Sequence, residues 1–139
     1  MIERGYQVFC PFGGMGAGAS GFAQARVDLL GRSARFEVLG GIDFDAHACR
    51  DFELLTGVAE LCADIEDLSP AEIRQRWRRR PDCVFMSPPC KAASKLLSDA
   101  KAQEEKYKKM MRLASEWTTR MLEAWADDLP PLVLFENVP

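Results

Sequence analysis

Tyr6-Gln7-Val8-Phe9-Cys10-Pro11-Phe12-Gly13-Gly14-Met15-Gly16-Ala17-Gly18-Ala19-Ser20-Gly21 carries a short apolar run into a glycine-rich turn and then into a helical pattern. A buried strand followed by glycines and a helix is the opening of a βαβ unit. Within it, Gly16 to Gly21 fits G-x-G-x-x-G in the strand-to-helix position where that motif has meaning. Glycines there let the backbone turn tightly and approach a ligand closely. The motif is common to nicotinamide, flavin and S-adenosylmethionine sites, and a glycine-rich turn without a ligand is the plain alternative.

Outward from this stretch, strands and helices alternate. Apolar runs at 6–10, 36–42, 58–62, 83–86 and 132–135 read as strands, and the first and last two are continuous enough to be covered on both faces. Helical patterns fill the gaps at 21–30, 46–55 and 70–79, the last with Ser69 as cap and Pro70 at its first position. A stripe of Tyr107, Met110, Met111, Ala114, Trp117, Met121, Leu122 and Trp125 keeps the helical period. Alternation of this kind predicts a mostly parallel sheet with right-handed crossovers in an α/β fold. The pattern stops after Val138 and Pro139, where a loop and another helix are expected. That is read as the N-terminal part, residues 1–139, of a larger protein.

With 139 residues, 47% hydrophobic and 28% charged, the chain has the composition of one ordinary globular domain. There is no apolar run of membrane-spanning length and no signal peptide, so no membrane role is expected. The five cysteines, Cys10, Cys49, Cys62, Cys83 and Cys90, are odd in number and lack metal-ligand spacing. They read as reduced thiols of a cytoplasmic protein, with no metal site. The net charge of −3 neither requires nor excludes a nucleic-acid partner.

The strand ends carry the chemistry. Asp43 closes the second strand, 22 residues after Gly21, where an acid accepts from ribose hydroxyls. Phe44 beside it offers a face to adenine, and Asp45 suits a helix cap. Asp64, followed by Ile65, is either an acceptor for an adenine amino group or an ordinary capping acid. Cys90 lies past the fourth strand in Ser87-Pro88-Pro89-Cys90, before Lys91, whose charge favours a thiolate. Glu136 follows the fifth. Each alone reads equally well as a turn residue. Together they place a thiol and a carboxylate at neighbouring strand ends, where parallel sheets bind ligands. His47, the single histidine, sits early in a helix, which leaves a Cys-His hydrolase without a base.

Taken in order, these motifs resemble the DNA cytosine-5 methyltransferases over essentially the whole chain. Phe12-Gly13-Gly14-Met15-Gly16 is similar to the family's F-x-G-x-G motif, Asp43-Phe44 and Asp64-Ile65 to its two adenosine motifs, Pro89-Cys90 to its catalytic Pro-Cys, and Glu136-Asn137-Val138 to its E-N-V. The chain departs from the family at Cys10, Ala17 and Lys91, and in a longer interval between Cys90 and Glu136. The resemblance implies a Rossmann-like methyltransferase fold, incomplete at its C-terminus and lacking the target-recognition region. It implies S-adenosyl-L-methionine as cofactor, yielding S-adenosyl-L-homocysteine, held by Phe12, Gly13, Gly14, Met15, Gly16, Asp43, Phe44, Asp64, Ile65 and Pro89. It also implies methylation at C5 of a flipped cytosine in double-stranded DNA, with Cys90 adding to C6 and Glu136 protonating N3. Partners would be that DNA and the missing C-terminal half or a complementing chain, in a restriction–modification or a regulatory role. The alternative function is an inactive or regulatory fragment that binds cofactor without catalysis. An oxidoreductase would leave Pro89-Cys90 and Glu136-Asn137-Val138 unexplained.

Two basic stretches bear on DNA. Arg74, Arg76, Arg78, Arg79 and Arg80 read as a solvated helix end on the far edge of the sheet from Cys90. The stretch from Lys91 to Arg112 holds seven basic residues against three acids and reads as a mobile loop closing on phosphates.

Overall fold

The computed structural model describes residues 2–88 and 105–136. Four strands lie parallel: β1 (Ile2–Pro11), β3 (Arg32–Asp43), β5 (Cys83–Met86) and β6 (Leu132–Phe135), in the spatial order β3-β1-β5-β6. On the outer side of β3, β2 (Arg26–Leu29) pairs antiparallel with its start and β4 (Leu61–Cys62) parallel with its end. Helices α1 (Ala17–Gln24), α2 (Ala46–Thr56), α3 (Pro70–Arg76) and α4 (Glu105–Ala124) connect them. The chain leaves β1 toward β3 and β4, then returns to the other side of β1 as β5 and β6. Strand order therefore reverses between β1 and β5, and the crevice beyond their C-terminal ends is where ligands bind in such sheets.

Val8, Phe9 and Cys10 of β1 are all fully buried, so the sheet is covered on both faces. Because successive side chains point to opposite faces, Phe9 joins Ile42, Trp77, Met86, Trp117, Met121 and Trp125 in one core. Val8 and Cys10 join Ala19, Phe52 and Cys83 in the other. The expected stripe at Trp117, Met121 and Trp125 is buried as its period requires.

Several boundaries differ from the sequence reading. The helix expected over 21–30 ends at Gln24, because residues 26–29 pair instead with 32–35. Leu30 (φ 49°) and Gly31 (φ 74°) supply the left-handed pair that a two-residue hairpin demands. β1 starts four residues earlier than expected, and polar Gln7 is accommodated by bonds to Asp82 Oδ2 (2.8 Å from its N–H) and Glu37 Oε2 (2.5 Å from Nε2). The third expected strand shrinks to Leu61–Cys62.

α3 starts at the reciprocal Ser69–Glu72 cap, as expected, and stops at Arg76 rather than 79. Trp77 turns into the core, its ring 4.5 Å from that of Phe9. The arginines around it meet surface acids: Arg80 pairs with Asp128 (2.9 Å) and Asp82 (3.4 Å), and Arg74 with Asp127 (3.7 Å). The basic loop expected from Lys91 lies outside the described residues as far as 104, and from Glu105 to Arg112 the chain is helical.

Candidate functional site

The glycine loop spans Phe12 to Gly16, and α1 begins at Ala17. Phe12 takes a left-handed backbone (φ 56°) and sets its ring edge-on to Trp117 at 5.8 Å, which fixes where the loop leaves the core. Gly13 N–H donates to the Ile42 carbonyl (3.1 Å), and Gly16 N–H to the Gly13 carbonyl (3.1 Å). Gly16 (φ 85°) is the residue before α1, and a side chain there would meet the Phe52 backbone at 2.9 Å. Gly14 (φ 54°) faces open space, and Met15 beside it is exposed. The loop is thus pinned at both ends and open in the middle. Gly18 lies inside α1 with the Phe85 ring 2.5 Å from where a Cβ would stand, the close helix–strand contact that a glycine allows. Gly21 meets nothing within 4 Å, so the last glycine of the G-x-G-x-x-G pattern has no steric reason to be one.

Asp43 ties the end of β3 to this loop. Its Oδ2 accepts from Gly14 N–H (2.9 Å) and its Oδ1 from Asp45 N–H (3.0 Å). A carboxylate has about four acceptor positions, so both oxygens keep capacity for a further donor. Phe44 next to it is 72% exposed. Asp45 caps α2 by accepting from His47 N–H (2.8 Å) and Ala48 N–H (3.1 Å), bonds that hold its carboxyl below the usual range. Asp64 caps the short 3-10 turn Ile65–Asp67 by accepting from Glu66 N–H (2.9 Å). The Ile65 side chain belongs to the core, and its carbonyl accepts from the Trp117 indole.

Across the crevice, the pairing Met86↔Phe135 brings Ser87 and Glu136 side by side at the ends of β5 and β6. The Ser87 hydroxyl donates to Glu136 Oε2 (2.5 Å), and Glu136 N–H donates to the Met86 carbonyl (2.8 Å). A pocket of about 330 Å³ joins the two sides, lined by Phe12, Gly13, Gly14, Met15, Phe85, Ser87 and Glu136 among others. Its size falls in the range of small-molecule sites. Pro89, Cys90, Asn137 and Val138 lie outside the described residues. In the sequence Ser87 stands only as the residue leading into Pro88-Pro89-Cys90, with no role of its own. Its position one residue past the strand, in register with Glu136, was the available signal.

The described cysteines are all free thiols. Burial pushes Cys10 up to about 12 and Cys83 up to about 11, and raises Cys49 also. Cys62 is exposed. Buried thiols of this kind are poor nucleophiles at neutral pH.

Solved structures share this architecture. The chain superimposes on the Dnmt2 methyltransferase of S. pombe with a TM-score of 0.60 at 17% identity, covering 97% of this chain and 35% of that one. It superimposes on the methyltransferase EhMeth of Entamoeba histolytica with a TM-score of 0.56 at 18% identity, covering 98% and 39%. The chain therefore spans little more than a third of the length of either. No protein-family model and no curated protein matches it. The mixed α/β unit with its mostly parallel sheet has the Rossmann-like methyltransferase fold expected from the sequence.

Proposed function

We propose that this chain is the cofactor-binding and catalytic part of an enzyme that transfers a methyl group from S-adenosyl-L-methionine to C5 of cytosine in DNA. The observation that carries the reading is the shared pocket, in which an open glycine loop faces a carboxylate across the switch point of a methyltransferase-type sheet. The residues fit the cofactor: Gly14 leaves free space above the loop, Asp43 retains acceptor capacity, and exposed Phe44 offers an aromatic face. Met15 and Gly16 would flank the methionine moiety, and Asp64 would border the adenine. When bound, the cofactor supplies an electrophilic methyl group.

The chain's own residues would do the rest. The Cys90 thiolate adds to C6 of the flipped base, which makes C5 nucleophilic. Glu136 delivers a proton to N3 and stabilises the charge driven into the ring by that addition. Ser87, donating to Glu136 Oε2, orients the carboxyl group. Loss of the C5 proton then expels the cysteine. Pro89 stiffens the approach to Cys90, and the lysines that follow would meet backbone phosphates.

The remainder of the domain, in one chain or as a complementing chain, is proposed to cover β6. Leu132, Val133, Leu134 and Phe135 are all at least 36% exposed, which is unusual for an unbroken apolar strand. The test is a titration of the full enzyme with S-adenosylhomocysteine and with a nicotinamide dinucleotide, followed by DNA carrying 5-fluorocytosine. Selective binding of the former and a covalent DNA adduct lost in C90S support the reading. Cofactor binding without an adduct would instead mark a regulatory protein, and dinucleotide binding would end the proposal.

A further inference from the structure

Beneath the glycine loop lies a carboxyl group that the proposed chemistry does not use. Glu60, just before β4, is only 9% exposed, and no N–H or O–H donor reaches either of its oxygens among the described residues, the Cys49 thiol being a weak donor beside it. Its Oε1 occupies the space that side chains at two glycines would fill. It stands 2.0 Å from a Cβ built on Gly13 and 2.6 Å from one built on Gly41. The Phe52 ring closes the same space at 3.0 Å from both positions. The Cys10 carbonyl stands 2.8 Å from the Gly41 position and 3.1 Å from the Gly13 position, so Glu60, Phe52 and the β1 backbone together leave room only for glycine, with Glu60 packed directly beneath the loop.

Of the groups facing it, Asp43 opposes its charge and the Cys49 thiol, as a donor, favours it. Asp43 from β3 is a nearby acid whose carboxylate holds Gly14 N–H. Cys10 from β1 and Cys49 from α2 are buried thiols, raised themselves partly by Glu60. A buried carboxylate with only a thiol as donor is costly, and a second carboxylate nearby adds repulsion. Burial first and Asp43 second push Glu60 up to about 7, with Cys49 acting weakly the other way.

We infer that Glu60 is a positioning residue for the cofactor loop, and that the loop keeps its Asp43–Gly14 contact only while the Glu60 carboxyl is neutral. The inference rests on the cofactor reading only for its consequence at the pocket, since the prop itself is a property of the chain. Ionisation would place two carboxylates against one loop and lever Gly13 and Gly14 away from Asp43. The sign follows from linkage. A carboxyl raised in the folded state holds its proton longer than in the unfolded chain, so its contribution is complete below the ordinary glutamate range of about 4.3. It is lost as pH rises through about 7.

The experiment compares the full chain with E60Q, which keeps the shape and removes the charge. Ligand-free denaturant midpoints and S-adenosylhomocysteine affinity are measured from pH 5.5 to 8.5. The wild type should lose stability from pH 5.5 to about 7, level off above it, and bind severalfold more weakly at the alkaline end, while E60Q should show neither change. Equal slopes in the two proteins would overturn the inference. If neither protein binds S-adenosylhomocysteine at any pH, the cofactor reading fails, and the ligand-free slopes still decide the role of Glu60. If E60Q does not fold, NMR of the wild type decides: a glutamate carboxyl titrating near neutrality together with a Gly14 amide shift at the same midpoint upholds the inference, and ordinary titration of all glutamates or an unmoved Gly14 amide rejects it.

Discussion

The Ser87 hydroxyl and the Glu136 carboxylate, 49 residues apart in sequence, are joined by a hydrogen bond at the ends of two parallel strands. The bond orients a carboxyl group that is otherwise exposed. It also sets that group against the pocket whose far wall is the glycine loop. A proton donor to a heterocyclic nitrogen needs such orientation more than it needs burial. Replacing Glu136 by Gln in the full enzyme should lower single-turnover methylation by roughly 10²- to 10⁴-fold, the usual range for a lost general acid. Ser87→Ala should cost about tenfold and leave cofactor affinity unchanged. A wild-type rate in S87A would show that the bond only ties two strand ends.

Asp43 makes a different prediction because it serves two backbone donors at once. Asp43→Ala leaves Gly14 N–H and Asp45 N–H without their acceptor and, since one bond is exposed and the other part-buried, should cost about 1 kcal/mol in a urea melt. If Asp43 also holds the ribose as proposed, the substitution should weaken S-adenosylhomocysteine at least about tenfold by calorimetry, since one residue would then serve both loop and ligand. Asp45→Ala removes only the α2 cap and should cost about 1 kcal/mol with little change in that affinity. Equal effects of the two substitutions on affinity would count against a ribose role for Asp43.

Gly18 and Gly21 lie one turn apart on α1 and should respond oppositely to alanine. A methyl group at Gly18 would press on the Phe85 ring from 2.5 Å, an overpacking that costs typically 1–3 kcal/mol. At Gly21 it meets open space and should stabilise α1 by about 0.5–1 kcal/mol. Denaturant midpoints of the two single variants test the contrast. A loss of stability in both would mean that α1 packs more closely than its surroundings indicate.

The sequence conveyed the parallel sheet and its switch point because strands such as Val8–Phe9–Cys10 are buried on both faces and therefore unbroken in hydrophobicity. The positions of Asp43 and Glu136 were legible for the same reason, as acids directly beyond such runs. What escaped were features set by tertiary contact. Residues 26–29 carry no strong strand signal, and their hairpin becomes visible only once β3 offers an edge. Trp77 belongs to the helical pattern by spacing, yet its indole is worth more against Phe9 than one further turn of α3. Ile65 follows an acid as a cofactor contact would, but its side chain fills the core. Glu60 looks like any surface glutamate until the two glycines that make room for it are seen together.

Thiol reactivity offers the most direct approach to Cys90. Among the described cysteines, Cys10, Cys49 and Cys83 are buried and raised, so brief treatment with iodoacetamide at pH 7.5 should spare them. Cys62 is exposed and should be alkylated. In C62S, whose hydroxyl can keep the weak contacts of the lost thiol with the Phe44 carbonyl (3.8 Å) and the Cys49 side chain, the fold should be unaffected. The remaining fast-reacting thiol then reports on Cys90 alone, by peptide mass mapping. A nucleophile beside Lys91 should react with an apparent pKa below the ordinary value of about 8.5. On the proposed mechanism, S-adenosylhomocysteine should leave that thiol accessible, whereas DNA bearing the target cytosine should protect it. If alkylation in C62S is slow and spreads evenly over all remaining cysteines, position 90 has no activated thiol and a covalent mechanism is untenable for this chain.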